Sequence, residues 1–133
     1  MSTNIWLITG AEITARELST FVVNLGGEVY PESGYDGFFR RDDGTIWVSV
    51  DAYSLTELME EEGGLATSKL GAVPQSMVDV RIRSHGNSRL ALEFCAAFAE
   101  HWPSVVSFGH GNYWSRDDLR RAKAEGRDFK GLL

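Results

Sequence analysis

The chain has 133 residues, 43% of them hydrophobic and 24% charged, and a formal net charge of −6. That is the length of one domain with near-average globular composition, which excludes general disorder and the collagen-like and coiled-coil classes. The longest unbroken apolar run is only the six residues at 94–99, too short to span a membrane, and the N-terminus shows neither the basic nor the apolar region of a signal peptide.

Taken in chain order, residues 4–9 read as a strand. Thr14-Ala-Arg-Glu17 has the form of a capping box. Behind it Leu18, Phe21, Val22 and Leu25 recur at helical spacing until Gly26 and Gly27 stop them. Residues 28–30 predict a short strand and residues 31–34 a turn. Residues 35–41 and 45–51 flank Asp42-Asp43-Gly44, a hairpin signal. A loop made of Asp43 and Gly44 would place Arg40 opposite Trp47 and Phe38 opposite Ser49, with Ile46, Val48 and Val50 on the core face. Ser54-Leu-Thr-Glu57 predicts the start of a second helix and Gly63-Gly64 its end. Residues 63–76 show no period and read as a loop. Val78, Val80 and Ile82 alternate with Asp79, Arg81 and Arg83, the pattern of a strand with one solvated face. Ser88 is predicted to cap the longest helix, residues 89–102, which is apolar nearly all round and therefore central to the core. Residues 105–108 predict a strand and Gly109-His-Gly-Asn112 a turn. Ser115-Arg-Asp-Asp118 is a third capping box, opening a helix to Glu125 whose acids come first and bases later, as the helix dipole favours. The expectation is a single α+β domain over residues 1–133, with a mixed, mostly antiparallel sheet of about five strands and three to four helices packed on it.

Charge is uneven along the chain. Residues 1–80 carry thirteen acids and four bases, and residues 81–133 carry six acids and nine bases. The acidic excess disfavours nucleic acid and favours a basic protein partner. Glu60, Glu61 and Glu62 follow Glu57 at the predicted end of the second helix, where acids oppose the dipole and repel one another. Such a cluster reads as a patch facing a basic partner. Trp47 beside Arg40 and Phe38 on the polar side of the hairpin has the composition of an interface anchor. The single cysteine, Cys95, forbids an internal disulfide and suits a cytoplasmic protein. It lies in the apolar helical pattern, where a thiol acts as a small hydrophobe.

Catalytic and cofactor motifs are missing from the sequence. Residues 64–69 lack the Gly-Lys-Ser/Thr core of a P-loop, and Gly109-His-Gly111 lacks the third glycine of a dinucleotide site. No His-Glu-x-x-His, paired cysteine or Gly-x-Ser-x-Gly elbow occurs, so no metal, cofactor or nucleophile is expected. Glu93 and Glu100 share a helical stripe, but seven helical residues span about 10 Å, and Arg89 is placed to pair with Glu93. His85 and His101 lie in other elements than His110. His110, in a Gly-rich turn after a strand, is the best residue for an alternative reading. In that reading a small ligand-binding protein or enzyme has a cleft at His110, with Asn112 beside it and Asp117 or Asp118 orienting the imidazole.

Two segments carry a family likeness. One is the Asp-Gly hairpin with its tryptophan, residues 35–47. The other is residues 90–119, an Ala/Phe-rich helix followed by Trp102-Pro-Ser-Val-Val106, a Gly/Asn turn and Ser115-Arg-Asp-Asp-Leu119. In these the chain resembles the small cytoplasmic immunity proteins of bacterial polymorphic-toxin and contact-dependent growth inhibition systems. The resemblance implies a non-enzymatic domain, monomeric or weakly dimeric, that neutralises a cognate toxin domain by binding it. A basic, nuclease-type toxin would match the acidic charge. The partner-binding residues expected on this reading are Trp47, Arg40, Phe38, Glu57, Glu60, Glu61 and Glu62, with no nucleic acid and no membrane involved.

Overall fold

A computed structural model describes residues 3–41, 44–83 and 88–129. The order is β1 (Thr3–Thr9), α1 (Ala15–Asn24), a 3-10 turn at Pro31–Ser33, β2 (Gly37–Arg41), β3 (Gly44–Val50), α2 (Ala52–Leu70), β4 (Ser76–Ile82), α3 (Ser88–His101), β5 (Ser104–Ser107), β6 (Tyr113–Trp114) and α4 (Arg116–Ala124). This is a single α+β domain. The six strands form one sheet in the order β2-β3-β4-β1-β5-β6. Every pairing is antiparallel, where the helical crossovers had suggested a mixed sheet. The reason is β1. It lies between β4 and β5, antiparallel to both, so the crossover through α3 joins two strands that never touch.

Alternation along the strands sorts the side chains onto two faces. Ile5, Leu7, Val48, Val78, Val80 and Val106 point to the larger core, where Leu18 and Val22 of α1, Phe94 and Phe98 of α3 and Leu119 of α4 meet them. Ile8, Met77 and Val105 point the other way and pack against Leu58 and Ala66 of α2. Three helices therefore cover one face and a single helix covers part of the other. Phe21 bridges α1 and α3 through edge-on contacts with Phe94 and Phe98 at 6.1 and 5.9 Å. Gly27 and Gly37 let the chain pass close to α1, since a Cβ on either would lie 2.5 or 2.8 Å from a Val22 methyl.

The first and third capping boxes form as expected. Thr14 Oγ1 accepts from the Glu17 amide at 3.1 Å and Ser115 Oγ from the Asp118 amide at 3.1 Å. Residues 28–30 form no strand, only a single bridge between Glu28 and Phe38. The second helix departs further from expectation. It is capped by Asp51, which accepts from the Ser54 amide at 2.9 Å. Asp51 competes better than Ser54 because it also accepts the Ser54 hydroxyl proton, at 2.6 Å. The first helical segment breaks beside Gly63-Gly64 as expected, but a second segment follows it directly. The chain kinks at Glu62 (φ −148°, ψ 32°), continues helical to Leu70 and stops at Gly71 (φ 79°). The predicted loop at 63–76 is thus half helix. Its periodicity was invisible because its buried residues are small: Gly63 and Ala66. Ser88 is the first residue of α3, not its cap, and the preceding residues 84–87, His85 among them, lie outside the described residues.

Phe94 is 3% and Phe98 0% exposed. Phe94→Ala or Phe98→Ala should each cost about 3–5 kcal/mol, from lost transfer energy and a residual cavity. A urea unfolding midpoint unmoved by either change would contradict this packing. Cys95 is fully buried, and desolvation pushes its thiol far above the ordinary range. It should label with a thiol reagent only at the rate of unfolding; rapid native-state labelling would show that α3 is not the core helix.

Candidate functional site

The pairing registers arrange the side chains of the α2-facing surface in rows. Phe38, Trp47, Arg81 and Asn4 form one row across β2, β3, β4 and β1. Ser49, Asp79, Trp6, Ser107 and Tyr113 form the next. The row of Met77, Ile8 and Val105 lies beneath α2. The helix covers this last row, so the first two rows look out past its edge.

The hairpin register differs from the expected one. Trp47 pairs with Phe38 and Arg40 with Thr45, because the strands remain paired up to Arg41 and Gly44. Gly44 belongs to β3 rather than to the loop, and Asp42 and Asp43 lie outside the described residues. The shift is by an even number, so Phe38, Arg40 and Trp47 still share a face. Trp47 stacks with Phe38 at 4.7 Å and Tyr35 at 5.2 Å between ring centroids. Arginines surround these rings: Arg40 over Phe38 at 5.8 Å, Arg81 over Tyr35 at 5.6 Å and Arg83 over Trp47 at 5.3 Å. Arg81 and Arg83 had read only as the solvated side of a strand. Arg40 also lies 3.8 Å from Glu28.

The acids stand apart from Trp47. The helix presents Glu57, Glu61 and Glu62 to a groove of about 240 Å³, whose floor is Trp6 and Ser107 and whose far wall is His110. Glu60 does not line it and is exposed elsewhere on the helix. The Tyr113 hydroxyl donates to Glu62 Oε1 and so ties the kink of α2 to β6. Burial, with this contact added, pushes the Tyr113 phenol well above its ordinary range. Trp6, half-buried, is the aromatic that the acids frame. Its sequence signal was the alternation Asn4, Trp6, Ile8, obscured by the apolar run around it.

His110 faces this groove from a turn of three left-handed residues, Gly109 (φ 89°), His110 (φ 55°) and Gly111 (φ 77°). The carboxylates nearest in the groove come from α2. Asp117 instead faces a separate depression with Lys69 and Ser104, and lies 3.4 Å from Arg120. Asp118 is consumed by the α4 cap, accepting from the Ser115 amide at 2.8 Å. His110, Asn112 and Asp117 therefore do not form one site: the short turn that carries Asn112 away and the cap that starts α4 separate them. Glu93 lies 3.5 Å from Arg41 and 4.0 Å from Arg89, while Arg120 grips Glu100 in a two-pronged contact. Those two carboxylates are surface ion-pair partners and make no acid–base pair. Among the described residues no cluster of three or more His, Cys, Asp or Glu could hold a metal ion. No helix of the described residues is long and apolar enough to cross a membrane.

Beside Trp6 in the second row sits Asp79, only 7% exposed. Asn4 Nδ2 donates to its carboxylate at 2.7 Å. Burial nevertheless pushes Asp79 above the usual carboxylate range, outweighing the Asn4 hydrogen bond and the Arg81 charge. A carboxylate raised in the folded state is worth most when protonated. Its contribution is complete below the ordinary aspartate value and is lost as pH rises through the raised one. Asp79→Asn, which keeps an acceptor for Asn4, should therefore match or exceed the parent in stability at pH 7, with the difference vanishing at about pH 3. Urea midpoints at the two pH values check this; a variant clearly weaker at pH 7 would show that the charge is needed.

No family model, curated protein or solved structure matches this chain.

Proposed function

We propose that the chain is a non-enzymatic, immunity-type inhibitor that binds a basic toxin domain through the open face of its sheet. The observation that carries this reading is the groove in which Glu57, Glu61 and Glu62 line up along Trp6. A half-buried tryptophan beside carboxylates combines an apolar anchor, which slows dissociation, with a field that speeds the encounter of a positive partner. Trp47 and Phe38 extend the same face one row further, and Arg40 stands in the row beyond them. The cytoplasm, where a cognate toxin would be met, is part of the proposal.

The test is co-expression with a basic toxin domain encoded by the adjacent gene, read as growth rescue and co-purification. Trp6→Ala should raise the dissociation rate and weaken binding by about 2 kcal/mol or more if it is a hot spot. Reversing Glu57 and Glu61 to Lys should mainly slow association, more at low salt than at high salt. Full rescue by both variants would remove the groove from the interface. Failure of the parent chain to bind any such toxin would end the inhibitor reading and leave a ligand cleft at His110 as the alternative.

A further inference from the structure

The aromatic and arginine half of the open face is chemically opposite to the groove. We infer that it is an acceptor-binding site, and that the segment it takes is an acidic stretch of protein carrying a carboxylate to the Trp47–Arg81 pair. The inference goes beyond the toxin-binding reading and stands on separate observations.

Trp47 and Arg81 are direct cross-strand partners in β3 and β4. Trp47 Nε1 and Arg81 Nε are both buried donors without a hydrogen-bond acceptor among the described residues. A buried donor left unpaired is costly, so such groups are nearly always satisfied. Two of them side by side, each an N–H and neither an acceptor, define the complementary group: one with several lone pairs, which a carboxylate supplies. The surrounding charge agrees. Among the described residues, no carboxylate lies within ion-pair distance of Arg81 or Arg83. Asp79, the nearest acid along β4, already accepts from Asn4. Arg83 is exposed, and its guanidinium lies 5.3 Å from the centre of the Trp47 ring. Swinging that flexible side chain aside opens the ring edge and brings a second cation to the incoming acid.

Bases and phosphates would also fit aromatic rings capped by arginine. The same face, however, carries Glu57, Glu61 and Glu62 alongside Trp6, and the whole chain carries −6. A nucleic acid strand long enough to use the rings would run against those charges. A protein segment can set its acids at the arginines and uncharged or basic residues beside the glutamates, which a phosphate backbone cannot do. A partner surface with bases placed beside an acid would engage both halves together.

The experiment is a titration of the ¹⁵N-labelled protein at low salt, following the indole N–H signals, with that of Trp47 assigned by Trp47→Phe. The probes are a capped hexaglutamate peptide, a capped hexalysine peptide and an eight-residue oligodeoxythymidylate. Hexaglutamate should shift the Trp47 indole and the Arg81 Nε–H saturably, and hexalysine should shift the Trp6 indole instead. Arg81→Gln should weaken hexaglutamate binding about tenfold, as loss of a charged hydrogen bond does. Arg83→Gln, at an exposed position that leaves the core untouched, should also weaken it. The inference falls if hexaglutamate leaves the Trp47 indole unmoved, or if both glutamine variants bind it like the parent. It falls equally if oligodeoxythymidylate shifts the same signals at lower concentration, which would make the site one for nucleic acid. None of these outcomes depends on whether a toxin binds the groove.

Discussion

The pairing of β1 with β4 is the constraint on which the rest of the molecule depends. These strands are the centre of the sheet, matched residue for residue from Thr3 opposite Ile82 to Thr9 opposite Ser76. Because side chains alternate with period two, a slip of one residue would exchange the faces of a whole strand. Ile5 and Leu7 would leave the larger core, and Asn4 and Trp6 would enter it. The cost of burying Asn4 and exposing two aliphatic side chains fixes the register. The register then places Trp6 beside Asp79 and Asn4 beside Arg81 on the other face.

That face is open because its cover is unequal. Among the described residues three helices seal one side of the sheet, while α2 alone lies over the other, above Ile8, Met77 and Val105. A regular helix of this length would run straight over its neighbours. Instead α2 bends at Glu62, ahead of two glycines, a local sequence that accounts for a kink. The bend turns Glu62 to the Tyr113 hydroxyl and sets Glu57 and Glu61 along the edge of the groove. The acids that read as a poor helix end do stand at the break of the first helical segment, and Glu57, Glu61 and Glu62 line the groove there.

Charge on this surface follows the fold, not the chain. By sequence thirteen of the nineteen acids fall in the first eighty residues and nine of the thirteen bases in the rest. The β3–β4 pairing brings Arg81 and Arg83 to Trp47, so the tryptophan expected beside Arg40 is framed by two further arginines. The tryptophan that acids do frame is Trp6, from the very start of the chain. One face of the sheet thus holds a positive aromatic row and a negative aromatic row side by side, with the buried carboxylate of Asp79 next to Trp6 in the second.

The sequence by itself determined what depends on near neighbours. The capping boxes at Thr14 and Ser115, the apolar helix containing Phe94 and Phe98, the alternation of β4 and the α+β class all follow from local hydrogen bonding and periodic burial. Tertiary structure decided what depends on partners distant in the chain. The strand order is set by β1 inserting between β4 and β5. The hairpin register is set by pairing of Gly44 within β3. The second half of α2, with few large apolar residues, is held by the packing of Gly63 and Ala66, and no periodic signal marks such contacts. The groove is the clearest case, since Trp6, Glu57, Glu61 and His110 come from three elements. Local propensity constrains neighbours within a few positions, and only pairing and burial can bring residues 6, 57 and 110 together.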